Sequence, residues 1–170
     1  MSYVLIDYGQ QDRSTGSHGS RLISNPDELA SPAWRYETFD CADYAVEFTT
    51  EAGLVFTASW DSPGYHTGVW LCEVPARGSA YVPDADVAVW DVSRAGRWDS
   101  YIGVEVTDVI LHYRHCDDGY ECSRITVAFD HGSVELLLAD NDADHLLVPS
   151  ADNIAVLFPP EPLPQWACDS

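Results

Sequence analysis

Between His112 and Cys122 the chain places two histidines and two cysteines within eleven residues, as His112-Tyr113-Arg114-His115-Cys116 followed by Cys122. Imidazole nitrogen and thiolate sulfur are the donors of a structural zinc site. The spacing is that of neither a finger nor a ribbon. On a strand, moreover, His112 and His115 point to opposite faces, because side chains alternate with period two. The intervening Asp117-Asp118-Gly119-Tyr120-Glu121 reads as a loop tip, which brings Cys116 and Cys122 near each other across a hairpin neck. His112, His115, Cys116 and Cys122 are therefore the candidate zinc ligands, set against the simpler reading of a polar loop between strands. A small metal-dependent hydrolase or a metal-stabilised domain would use them.

A second metal-like pattern is Asp140-Asn141-Asp142-Ala143-Asp144-His145. Alternate carboxylates open a calcium loop. Here, however, His145 stands where that loop turns on Gly, and Ala151 where a bidentate Glu closes it. A solvated acidic loop fits better. Nucleophilic catalysis has no visible frame: there is no G-x-S-x-G elbow, and Gly16-Ser17-His18-Gly19-Ser20 lies in a polar loop. With 28 acidic residues, carboxylate pairs arise by number alone and signal nothing by themselves. Enzymatic activity is left open, and the balance favours a protein without it.

The 170 residues carry 28 Asp and Glu against eight Lys and Arg, for a formal net charge of −20, and all eight bases are Arg. The missing lysine excludes a Schiff base and a P-loop. The charge excludes direct binding to a polyanionic nucleic acid. Spread evenly, such charge is screened beyond about 8 Å and serves solubility, as a halophilic or GC-rich background would also require. Concentrated, it steers a basic partner. The clusters that could do so are Asp84, Asp86 and Asp91; Asp117, Asp118 and Glu121; and Asp140, Asp142 and Asp144. Trp90, flanked by the first cluster, is the expected aromatic anchor.

What positions these groups is mostly strand. Tyr44 to Phe48 and Leu54 to Trp60 alternate around Glu51-Ala52-Gly53, a hairpin in which Gly53 supplies positive φ. Ile125 to Phe129 and Val134 to Leu138 repeat the pattern around Asp130-His131-Gly132. The echo suggests two related β-halves joined around Pro75 to Pro83. Further strands are expected at Tyr3 to Asp7, Arg35 to Phe39, Thr67 to Glu73, Gly103 to Tyr113 and Asn153 to Phe158. The Val- and Ile-rich Gly103 to Tyr113 is long enough for a central strand or for one containing a bend. Helix signals are confined to Asn25 to Leu29, with a cap and a Pro at its first turn, and to a turn within Val92 to Ser100.

The expected fold is mainly β, either all-β or α+β with few short helices, with antiparallel sheets in a sandwich. One domain, 1–158, precedes an extended Pro-rich tail, 159–170, whose Leu163 and Trp166 rest on the body. Gly9 to Ser20 reads as a mobile loop. Five scattered cysteines, odd in number and without a secretion signal, argue for free thiols in a soluble, cytoplasmic protein. No apolar run is long enough for a membrane span.

From Arg97 onward, Trp98-Asp99-Ser100-Tyr101-Ile102-Gly103, then Ile125-Thr126-Val127-Ala128-Phe129-Asp130-His131-Gly132, then Asp152-Asn153-Ile154-Ala155-Val156-Leu157-Phe158 form a pattern. It resembles small immunity-type proteins of bacterial polymorphic toxin systems and their uncharacterised actinobacterial relatives. The resemblance implies a role rather than a reaction: binding and masking a toxin. It supplies no catalytic residue and no cofactor. The function expected is thus a non-enzymatic acidic protein that neutralises a basic protein partner, with a DNA mimic that blocks a nucleic-acid-binding enzyme as a further alternative.

Overall fold

The computed structural model describes residues 1–6, 21–23, 32, 34–62, 66–75, 87–94, 96–117 and 119–168. Within them the period-two alternation resolves into eleven strands. These are β1 (Ser2–Ile6), β2 (Arg21–Ile23), β3 (Phe39–Ala42), β4 (Ala45–Thr49), β5 (Val55–Asp61), β6 (Gly68–Cys72), β7 (Val87–Asp91), β8 (Val106–Cys116), β9 (Gly119–Phe129), β10 (Gly132–Asn141) and β11 (Leu147–Leu157). A 3-10 turn at Gly96–Trp98 and a single-turn helix α1 (Gln165–Cys168) complete the described elements. One sheet has the order β2-β7-β1-β4-β5-β6 and the other β3-β11-β10-β9-β8. All pairings are antiparallel except β2 with β7. Among the described residues no helix is long and apolar enough to cross a membrane.

The sheets face each other across one core. Val46, Ala58 and Val69 of the first meet Ile125, Leu136, Ile154 and Val156 of the second. Each large aliphatic group fully withdrawn there contributes about 1.5–3 kcal/mol. Leu136-Leu137-Leu138-Ala139 is an unbroken apolar run because β10 is covered on both faces. Leu136 and Leu138 enter the core between the sheets, while Leu137 and Ala139 join Phe39, Cys41, Ala155 and Leu157 in a second cluster. The C-terminal segment roofs that cluster with Leu163, Trp166 and Ala167. Apolar side chains spaced along a Pro-rich stretch thus find a surface that would otherwise be wet.

The β4–β5 hairpin turns at Gly53, whose φ of 80° is the left-handed conformation its position demands. The β9–β10 hairpin belongs to the other sheet, so the two similar units lie in different layers. The layers are nevertheless interleaved in sequence, since β3 pairs with β11 and β7 with β1.

Two expected strands shift. Arg35 to Phe39 becomes a tight turn before β3, because Tyr36 N–H bonds the Phe39 carbonyl at 2.9 Å and Cys41 N–H the Trp34 carbonyl at 2.8 Å. Val106 rather than Gly103 opens β8, since Ile102 and Val104 N–H groups turn back onto the Trp98 and Tyr101 carbonyls. The turn expected within Val92 to Ser100 is the 3-10 turn. The expected helix at Asn25 to Leu29, the loop Gly9 to Ser20 and most of the joint Pro75 to Pro83 lie outside the described residues.

A buried chain of hydrogen bonds ties three elements together. Trp98 Nε1–H donates to Tyr3 Oη at 2.7 Å, and Tyr3 O–H donates to Asp40 Oδ2 at 2.8 Å. Arg97 donates to Asp40 Oδ1, also at 2.8 Å. Burial pushes the Asp40 pKa up, while Tyr3 and Arg97 hold it down.

Candidate functional site

The register of the β8–β9 hairpin decides which polar groups meet. Cys116 lies opposite Gly119, Arg114 opposite Glu121, Tyr113 opposite Cys122 and His112 opposite Arg124. The shift between His112 and Tyr113 leaves Ser123 as the extra residue of a bulge. This register divides the expected zinc quartet. His112 joins a polar network with Arg124, and His115 sets its ring edge-on to Tyr120 at 5.4 Å. Cys122 is buried in the core between the sheets. Cys116 remains at the hairpin tip, away from Cys122, because the neck pairs it with Gly119 instead. All five thiols are free. Burial and neighbouring Asp140 push the Cys41 thiol far up, away from the reactive thiolate form.

The His112 network assigns each donor and acceptor except Arg124 Nε, which is buried without a partner among the described residues. Arg124 has only donors, so its contact with His112 Nδ1 at 3.0 Å makes that nitrogen the acceptor. Nε2–H then donates to Thr126 Oγ1 at 2.8 Å, and Thr126 donates to Glu135 Oε2 at 2.6 Å. Arg124 closes the circuit on the same Glu135 oxygen at 2.9 Å. The arrangement requires a neutral ring. Burial, and then the Arg124 charge, hold the His112 pKa below its ordinary 6.5 against the opposing pull of Glu135.

The sign follows from that direction. Stability from the neutral ring is complete above about pH 6.5 and is lost as pH falls through the folded-state value. We expect His112→Gln to flatten the fall in the urea midpoint between about pH 7 and about pH 5. Identical pH profiles for both proteins would contradict the network.

On the side where β6 and β8 are the edge strands, a groove of about 770 Å³ opens between the sheets. Trp70, Leu71, Tyr113 and Tyr120 form apolar walls, and Asp61, His66, Cys116 and Glu121 supply polar atoms. Ligand atoms of His66, Cys116 and Glu121 lie within 4.8 Å of one another. Glu121 is nearly withdrawn from solvent, its side chain 7% exposed, and is paired with Arg114 across the hairpin and with His66 Nδ1 at 3.6 Å. It is an interior anchor, not a carboxylate held out to a partner. No spacing in the sequence links His66 to the hairpin; only the approach of β6 to β9 does.

The other expected contact residues disperse. Asp117 is exposed at the hairpin tip and Asp144 on the β10–β11 turn. Asp142 Oδ1 is occupied by the N–H groups of Asp144 and Leu146, each at 2.9 Å. Asp140 takes the Asn141 N–H at 2.7 Å and the Cys41 thiol at 3.5 Å. These local bonds are the work of a self-capped acidic turn, in which His145 adopts a φ of 59° where a calcium loop has Gly. Asp91 accepts from Ser93 N–H at 3.0 Å. Trp90, expected as an anchor, is half-buried and packs edge-on to Trp34 at 5.8 Å. Asp84, Asp86 and Asp118 lie outside the described residues.

A different surface stands out. The stretch expected as a central strand, or as one containing a bend, is β8: it is irregular between Val106 and Asp108, and it is the edge of its sheet, its other side pairing with no described strand. Val106, Val109, Ile110, Leu111 and Tyr113 are each 41–54% exposed, and Tyr120 opposite is 74% exposed. Long apolar edges are what soluble proteins ordinarily blunt.

Comparison with known protein families, curated proteins and solved structures returns no match for this chain.

Proposed function

We propose that this chain is a non-enzymatic binding protein that captures a basic protein partner along β8. The observation that carries this reading is the outer edge of β8, which pairs with no described strand and exposes Val106, Val109, Ile110, Leu111 and Tyr113. An edge of this kind can accept a strand through main-chain hydrogen bonds while its side chains select the partner. Carboxylates frame it: Glu105 and Asp108 at its start, Asp117 at its tip and Asp61 in the adjoining groove. The chain's net charge of −20 favours a cationic partner over nucleic acid. Tyr113 and Tyr120, rather than Trp90, are the aromatic anchors. The role implied by the C-terminal resemblance, masking a toxin, needs this combination of steering charge and apolar residence.

Capture from an extract of the source cells tests the reading. Immobilised protein is expected to retain a single basic protein in stoichiometric amount and to release it at about 1 M salt, where charge is screened within about 3 Å. Co-expression of the two should relieve whatever toxicity the partner causes alone. Recovery of no basic protein would contradict the proposal.

A further inference from the structure

We infer that His66, Cys116 and Glu121 form a zinc site with one coordination position open to the groove. The donor set is one imidazole, one thiol and one carboxylate, the borderline mixture that zinc takes and that calcium or magnesium does not. The three come from separate places in the chain: two residues before β6, the end of β8 and the start of β9. Their donor atoms lie within 4.8 Å of one another. A tetrahedral ion with bonds of about 2.0–2.3 Å needs them roughly 1 Å closer. His66 and Cys116 are only half-buried, so side-chain rotation can supply that closure.

Glu121 is already oriented for this task. Arg114 Nε holds Oε1, which leaves Oε2 facing His66 Nδ1. A ligating carboxylate is ordinarily held by a hydrogen-bond donor in this way. One thiolate and one carboxylate neutralise a divalent ion at the site. Three protein ligands rather than four leave a position for water or for a donor atom of a groove ligand, between the Tyr113, Tyr120 and Trp70 side chains. Binding displaces the thiol proton, so affinity rises with pH. The site shares only Cys116 with the quartet suggested by sequence spacing, and it stands whether or not β8 docks a partner.

Cobalt(II) titration of tag-free protein, stripped of metal and kept reduced with a non-thiol reductant, tests the site directly. We expect one equivalent to bind with a near-ultraviolet thiolate-to-cobalt charge-transfer band and tetrahedral d–d bands, and zinc to displace it. Cys116→Ser should abolish the charge-transfer band. His66→Ala should weaken binding more than about 100-fold, beyond the 10–100-fold loss typical of an outer partner. Cys122→Ser and His112→Ala should bind as the parent does. Absence of the band in the parent protein, its survival in Cys116→Ser, or its loss in Cys122→Ser would overturn the assignment.

Discussion

Trp98→Ala is expected to remove about 3–5 kcal/mol of folding stability, the cost of emptying a fully enclosed aromatic position. Trp98 is 0% exposed and packs edge-on to Phe158 at 4.9 Å, Phe48 at 6.0 Å and Tyr101 at 6.1 Å. Its N–H also heads the chain through Tyr3 to Asp40 and Arg97. Alanine leaves both a cavity and a Tyr3 oxygen without its donor. For a domain stable by about 5–15 kcal/mol, that is a large share of the total. Trp98→Phe keeps most of the packing and loses the hydrogen bond, so it should cost nearer about 1 kcal/mol plus a small cavity. Urea denaturation measures both, with the midpoint moving at constant slope. A loss below about 1 kcal/mol for alanine would mean that neighbouring side chains collapse into the space and that Trp98 does not hold the core.

Trp98 also shows why some of this protein was legible in its sequence. Alternation marked β4, β5, β9 and β10, and Gly53 marked its turn, because period and backbone freedom are local properties. The residues that carry the C-terminal resemblance, among them Trp98, Phe129, Ile154, Val156 and Phe158, are buried in one core. They specify scaffold, and a shared scaffold leaves the partner unspecified. The candidate site was less legible because it depends on register and sheet order. The tight hairpin sets Cys116 opposite Gly119 and Cys122 opposite Tyr113, and that register cannot be read from spacing. Whether Val109-Ile110-Leu111 lies at the centre or the edge of a sheet depends on what pairs beyond it, which its own composition does not say. His66 enters through the approach of the two sheets. Trp90 is half-buried against Trp34, and flanking acids look alike beside an exposed ring and beside one packed on a neighbour.

The second large effect is expected at β8. Ile110 is 43% exposed, so Ile110→Lys should leave stability within about 0.5 kcal/mol of the parent. It places a charge on the edge, a common natural device against strand pairing. Tyr113→Ala removes an aromatic anchor that is 54% exposed in the free protein. Either change should weaken the captured partner by about 2–4 kcal/mol, tens to several hundred-fold, mostly through faster dissociation. Neutralising Glu105, Asp108 and Asp117 together should instead slow association, and the difference from the parent should shrink as salt rises. Dissociation and association rates of the purified partner with Ile110→Lys, beside the parent protein, therefore bear most directly on how this molecule works. A folded variant that releases its partner tens of times faster or more is expected; a folded variant that holds it as long as the parent does would contradict capture along β8.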